Sequence, residues 1–270
     1  MSVLQINNKS EVQTVLCTGG IDPTALAGLA VDARALQSIG VHSALLPTCN
    51  TWQNSSEWGG LIPTELQTLD KTLQVLANEF TWQACKVGML GSDEQIKWLA
   101  GQCRNGSFPN LVYDPVLGAT AGGVTIDSSL KTAIVDALFP EITLLTPNLH
   151  EVEFFTGIVV KTKSDMKRAA RKLYDMGVAN IYIKGGHFGS DVKIDYFYDG
   201  ENEFYLQSEF TGLGARGTGC ALASLIAGGL ALGYTLEKSI KSAHIGVQKA
   251  LSRCHQIGQF NARALFLNAN

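Results

Sequence analysis

Short apolar runs alternate with amphipathic helical stretches along the whole of this 270-residue chain, and that rhythm limits what it can fold into more than any other feature. Apolar runs at 12–18, 42–49, 85–90, 111–117, 143–148 and 180–185 read as strands. Between them, helical spacing of apolar side chains predicts helices over 25–39, 64–80, 127–139 and 164–177, with another opening at Ser92. Thr64 with Gln67, and Ser92 with Gln95, have the spacing of capping boxes. Strands joined in this way by helices form a mostly parallel sheet covered on both faces. One section breaks the rhythm. Residues 194–198 and 203–210 flank Asp199-Gly200 and read as an antiparallel hairpin at a sheet edge. Helices over 218–232 and 235–252 follow. With no internal repeat, low-complexity tract or linker, residues 1–270 read as a single domain.

Composition excludes several classes of function. Hydrophobic residues make up 46% and charged residues 17%, which suits a globular enzyme rather than a disordered chain. The net charge of −3, without runs of like charge, gives no electrostatic grip on nucleic acid or an anionic membrane surface. The longest weakly polar stretch, 220–234, is too short to span a bilayer and reads as a buried helix. The first eight residues lack the basic and apolar regions of a secretory signal. Six cysteines without a C-x-x-C pair fit reduced thiols in a cytoplasmic protein.

In open α/β sheets, ligands sit beyond the carboxyl ends of the strands, so the loops there should carry the chemistry. Four are unusual. The stretch Gly212-Leu213-Gly214-Ala215-Arg216-Gly217-Thr218-Gly219-Cys220 opens an apolar helix. Its glycines let backbone N–H groups converge, and the helix dipole adds positive potential, as an anion site requires. No Gly-Lys-Ser/Thr follows, so it is not a Walker A loop. In the first turn of that helix the dipole should lower the thiol pKa of Cys220; a small buried hydrophobe is the alternative. Lys184-Gly185-Gly186-His187 could lie beside a polyphosphate or simply end a strand. Asn148 and Glu151 could hold a hydrated Mg²⁺, which takes few protein ligands, or serve only to cap a helix. Asp114 ends a buried-looking strand and needs a partner, which a metal–nucleotide complex would supply.

Together, Asp22-Pro23, Lys86-Val87-Gly88-Met89-Leu90, Asp114-Pro115-Val116, Thr146-Pro147-Asn148 with Glu151, Lys184-Gly185-Gly186-His187 and Gly217-Thr218-Gly219-Cys220 occur in an order that resembles the hydroxymethylpyrimidine/phosphomethylpyrimidine kinases of thiamine biosynthesis. These belong to the ribokinase-like superfamily, and the resemblance runs from about 12 to 251. It is sharpened by Cys220, where sugar kinases of the superfamily usually place an aspartate. The resemblance implies a ribokinase-like three-layer sandwich and phosphorylation of 4-amino-5-hydroxymethyl-2-methylpyrimidine, its monophosphate, or both, with ATP and Mg²⁺ as cofactors. It implies a pyrimidine pocket of Ala27, Asp32, Gln53, Met89 and Val116. Lys184 would meet the nucleotide phosphates, with Asp114, Asn148 and Glu151 around Mg²⁺. Gly217, Thr218, Gly219 and Cys220 would present backbone N–H groups to the transition state, and Cys220 would take the proton. Many relatives dimerise through a sheet-edge lid, a part that the hairpin over 194–210 could play.

The chain departs from the family's pattern in two places. Asp-Pro-Ser-Gly-Gly-Ala-Gly becomes Asp22-Pro23-Thr24-Ala25-Leu26-Ala27-Gly28, so Leu26 brings side-chain volume beside the expected pocket. Asn-Thr-His becomes Gly214-Ala215-Arg216, and Arg216 could serve the nucleotide, serve a substrate phosphate, or point to solvent. A pyridoxal or pyridoxine kinase on the same scaffold, and a non-catalytic pyrimidine-binding relative, are the alternative readings.

Overall fold

The computed structural model describes residues 12–117, 128–186, 192–209, 214–260 and 262–267. In chain order the strands of the main sheet are β1 (Thr14–Ile21), β2 (His42–Gln53), β3 (Trp58–Pro63), β4 (Ala84–Val87), β5 (Leu111–Tyr113), β6 (Leu144–Leu145), β7 (Ile181–Ile183), β8 (Val192–Tyr198) and β9 (Glu203–Glu209). They form one nine-stranded sheet in the order β3-β2-β1-β4-β5-β6-β7-β8-β9. From β2 to β7 the pairing is parallel, while β3 on one edge and the β8–β9 hairpin on the other are antiparallel. The expected mostly parallel sheet with an edge hairpin is therefore present.

The helices are α1 (Gly28–Gln37), α2 (Leu66–Glu79), α3 (Asp93–Arg104), α4 (Ser128–Ala133), α5 (Leu149–Thr156), α6 (Lys163–Asp175), α7 (Thr218–Ala231) and α8 (Leu236–Ser252). They sort onto the two faces of the sheet. Val15 and Cys17 of β1 pack in one core with α1, α7 and α8, whereas Leu16 between them packs in the other with α2, α3, α5 and α6. That is the period-two alternation of a strand buried on both faces. Every residue of β4, β5, β6 and β7 is buried; β5, β6 and β7 read as unbroken apolar runs, and β4 is interrupted only by Lys86. Among the described residues no helix is long and apolar enough to cross a membrane.

Three elements differ from expectation. Strand β3 replaces an anticipated loop. The Oδ1 of Asn54 accepts from the N–H groups of Ser56 and Glu57 at 2.8 and 2.9 Å, closing a turn that folds Trp58 back against β2. The Thr64–Gln67 box does not form, because Thr64 is still tied to the sheet through its N–H and the Thr48 carbonyl at 2.7 Å. The helix starts after Glu65, which offers no side-chain cap. The helix expected over 127–139 runs through α4 and then loosens into a π turn at Ile134–Leu138 and a 3-10 turn at Phe139–Glu141; position 127 lies outside the described residues.

Strand β1 has β2 on one side and β4 on the other, so the chain reverses its direction of winding there. A crevice at the carboxyl ends of such strands is where open α/β sheets bind ligands.

Candidate active site

A cavity of about 180 Å³ occupies that crevice. Its wall takes residues from the carboxyl ends of β1, β2 and β4, from just beyond β5, β6 and β7, and from the start of α7. Gly217, Gly219 and Cys220 bring the helix N-terminus to it. Gly217 precedes α7 at φ +79° and has no side chain with which to cap it. The N–H groups of the first turn therefore have no intrahelical acceptor and are available to an anion. A Cβ at Gly217 would stand 2.3 Å from the Leu26 carbonyl oxygen, and one at Gly219 would stand 3.1 Å from Lys184 Nζ. Only glycine at 217 lets the loop approach so closely, while a side chain at 219 would crowd the Lys184 ammonium. Thr218 is held away, its hydroxyl donating to the Ala215 carbonyl at 2.7 Å.

On the cavity wall Lys184 donates to Asp114 at 2.5 Å. Burial alone would lower the Lys184 ammonium pKa, but Asp114 and Glu151 hold it above its ordinary value. Asn148 and Glu151 form the capping box of α5, with Asn148 Oδ1 accepting from the Glu151 N–H and Glu151 Oε2 from the Asn148 N–H. Both also line the cavity, so capping and ligand contact are not exclusive. Burial pushes Glu151 up to about 7; Lys184 opposes the shift and Asp114 adds to it. The folded protein thus keeps this proton to near pH 7, while the unfolded chain releases it near 4.5. Stability should fall as pH rises between those values, by up to about 3 kcal/mol. Glu151→Gln keeps an acceptor for the cap and should flatten that slope in urea titrations from pH 4.5 to 8; an unchanged slope would assign it to another group.

Beneath the cavity, Lys86 donates to Asp32 at 2.9 Å, and Ser224 donates to the other carboxylate oxygen of Asp32 at 2.9 Å. Lys86 is 1% exposed and Asp32 0%. Burial would lower the Lys86 pKa, but Asp32, Cys220 and Asp114 hold it well above the ordinary lysine range. Asp32 does not line the cavity, so the structure makes it the anchor of Lys86 rather than part of the ring pocket's wall. The expected lowering of the Cys220 thiol is also corrected. Burial pushes it up to about 11, with Lys86 and a hydrogen bond from the Gly28 backbone pulling it down and Asp32 and Asp114 opposing them. Desolvation outweighs the helix dipole here.

Ala27, Gln53, Met89 and Val116 also line the cavity, and Met89 is placed by a hydrogen bond of 2.6 Å from Thr48 to its carbonyl. Arg216 lines the cavity beside Gln53. It donates to the Asn54 carbonyl at 2.7 Å and to Gln53 Oε1 at 2.6 Å, and it stands 3.6 Å from Asp22. Leu26 is 3% exposed and does not line the cavity, so its volume goes into the core. Its neighbour Ala25, at another position where the family pattern has glycine, takes φ +56°. Trp52 is half exposed, and its indole lies against Gly59 and Gly60 of β3, outside the cavity.

The sequence signalled Lys86 without a role; a lone cation inside the buried run Ala84-Cys85-Lys86-Val87 requires a partner. A second, smaller cavity beside Lys184, Thr218 and Gly219 was not anticipated. There Asp195 accepts from Tyr182 at 2.9 Å, and His244 Nδ1 lies 3.2 Å from it. His244 Nε2 is buried without a partner among the described residues. His187, Gly212 and Leu213 lie outside the described residues.

The phosphomethylpyrimidine kinase family matches residues 22–264 of the chain. A hydroxymethylpyrimidine/phosphomethylpyrimidine kinase from Haemophilus influenzae is 33% identical over 93% of this chain and 95% of its own. Among solved structures, the pyridoxal kinase from Staphylococcus aureus in complex with AMP-PCP and pyridoxal superposes with a TM-score of 0.85, at 26% identity over 96% of this chain and 94% of that one. A phosphomethylpyrimidine kinase from Clostridium difficile superposes with a TM-score of 0.77, at 25% identity over 88% of this chain and 99% of that one.

Proposed function

This chain belongs to the phosphomethylpyrimidine kinase family, and from that premise we propose that it moves the γ-phosphoryl group of ATP onto 4-amino-5-hydroxymethyl-2-methylpyrimidine and onto its monophosphate. The observation that carries the reading is the convergence, on one cavity, of the uncapped N-terminus of α7, Lys184 and the Gln53–Met89–Val116 wall. A helix N-terminus and a lysine suit a transferring phosphoryl group, and the wall suits a flat heterocycle. Asp114 and Glu151 are the carboxylates that would hold Mg²⁺. Two of them suffice, because that ion keeps waters and takes further oxygens from the nucleotide phosphates. The high pKa of Glu151 fits this role, since a cation would favour its ionised form. The ion would supply charge neutralisation of the phosphates.

Phosphoryl transfer leaves the protein mainly positioning and charge stabilisation. The hydroxymethyl oxygen of the pyrimidine, or a phosphate oxygen of its monophosphate, forms a bond to the γ-phosphorus, the bond from that phosphorus to the β–γ bridging oxygen breaks, and ADP leaves. Lys184 and the first N–H groups of α7 meet the charge on the equatorial oxygens. In the first of these reactions the hydroxyl proton passes to Cys220 Sγ. With its pKa near 11, Cys220 is a thiol at neutral pH, so the reactive thiolate is a minor species that the Lys86 ammonium beneath it favours. The six cysteines are all unpaired, which supports a reducing, cytoplasmic setting.

One observation favours a second reading. The pyridoxal kinase superposes over more of the chain than the phosphomethylpyrimidine kinase does. Steady-state kinetics with Mg-ATP and hydroxymethylpyrimidine, its monophosphate or pyridoxal decides between them. Both pyrimidines should give a kcat/KM at least about tenfold above that of pyridoxal. Turnover of pyridoxal alone would replace the first reading with the second.

A further inference from the structure

We propose that Arg216 fixes the hydrogen-bond polarity of the ring pocket, holding Gln53 so that it offers the substrate a donor and selects a heterocycle with an acceptor nitrogen at that edge. The inference rests on the kinase reading above and deepens it. Arg216 stands where the family pattern has histidine, so it belongs to this chain's own chemistry.

A guanidinium has only donors, so the Gln53 atom 2.6 Å from Arg216 must be the carbonyl oxygen. The amide nitrogen then faces Thr51, donating to its Oγ1 at 2.9 Å. Thr51 can accept there because its own proton goes to the Ile21 carbonyl at 2.8 Å. Arg216, Gln53, Thr51 and Ile21 therefore form a relay that runs one way, fixed by an obligate donor at one end and an obligate acceptor at the other. A flipped Gln53 would set its NH₂ against the guanidinium and its carbonyl against a hydroxyl committed elsewhere. The guanidinium is itself held, by the Asn54 carbonyl at 2.7 Å and by Asp22 at 3.6 Å.

Gln53 Nε2 has two protons, and Thr51 accepts only one. The other is the donor that Gln53, a residue of the cavity wall, can give a ligand. A ring nitrogen with a free lone pair would satisfy it, whereas a ring C–H at that point would leave a buried donor unpaired. A histidine at 216 can present either an acceptor or a donor and would not impose the same direction. Arg216 is thus a positioning residue that acts through Gln53.

The test compares kcat/KM for hydroxymethylpyrimidine with that for its two monodeaza analogues, in which a ring nitrogen becomes C–H. In the wild-type protein one analogue should be poorer by roughly 10- to 100-fold. Arg216→Lys, which keeps a cationic donor, should retain most of that ratio. Arg216→Met, or Arg216→Gln if the methionine variant does not fold, should lower it several-fold, because Gln53 can then turn. A ratio unchanged in Met or Gln, or no discrimination by the wild type, overturns the inference while leaving the kinase reading standing. Absence of turnover of any pyrimidine by the wild type would instead remove the reading on which it rests.

Discussion

Cys220→Ala lowers kcat by about 10²- to 10⁴-fold while the KM for ATP stays within about threefold of wild type. The thiol lies at the first turn of α7 on the cavity shared with Lys184, yet the phosphate contacts assigned to Lys184 and the α7 backbone do not involve its sulfur. Removing it should therefore affect the chemical step and spare nucleotide binding. The pH dependence provides an independent check. A base with a pKa near 11 gains thiolate about tenfold per pH unit across the neutral and mildly alkaline range. The wild-type kcat should climb accordingly, and the alanine variant should lose that climb. Parallel losses in kcat and ATP affinity would make Cys220 a packing residue. A flat profile would mean that the thiol donates a hydrogen bond instead of accepting a proton.

Asp32→Ala should cost about 3–5 kcal/mol of stability, a fall of roughly 10 °C in Tm for a chain of this size. The cost comes from Lys86, which at 1% exposure would be left charged with its closest anion gone. Replacing both partners, as Asp32→Ala with Lys86→Met, should recover more than half of that loss, since a buried ion pair is often matched by apolar packing. The double variant should still turn over slowly, because the cation that favours the Cys220 thiolate has gone. Urea denaturation reports the first effect and steady-state kinetics the second. A single variant within about 1 kcal/mol of wild type would show that Lys86 does not depend on Asp32. A stable double variant with full activity would remove Lys86 from the account of Cys220.

The parallel sheet was legible because β5 and β7 are buried on both faces and leave unbroken apolar runs, and because α3 carries the side-chain cap expected at Ser92. Strand β3 was not legible in the same way. Trp58-Gly59-Gly60 gives no apolar alternation, and its glycines are there to lie under Trp52. The loops of the site stood out through their residue types, since glycines, a lysine and carboxylates at strand ends have few structural uses in combination. Their contacts were harder to read. Nothing local in the sequence says that Asp32 pairs with a lysine 54 positions away, or that Arg216 reaches back to Gln53 across 163. The thiol of Cys220 shows the same limit. The helix start is visible in sequence, but the desolvation that raises its pKa depends on packing supplied by the whole sheet.

The most direct test of the account follows the label from γ-³²P-ATP in a reaction of the pure protein with Mg²⁺ and hydroxymethylpyrimidine. The account predicts labelled pyrimidine phosphate in amounts equal to the ADP formed, and little of either from Lys184→Met. A folded wild-type protein that binds ATP and the pyrimidine yet leaves all the label in ATP or inorganic phosphate would contradict it.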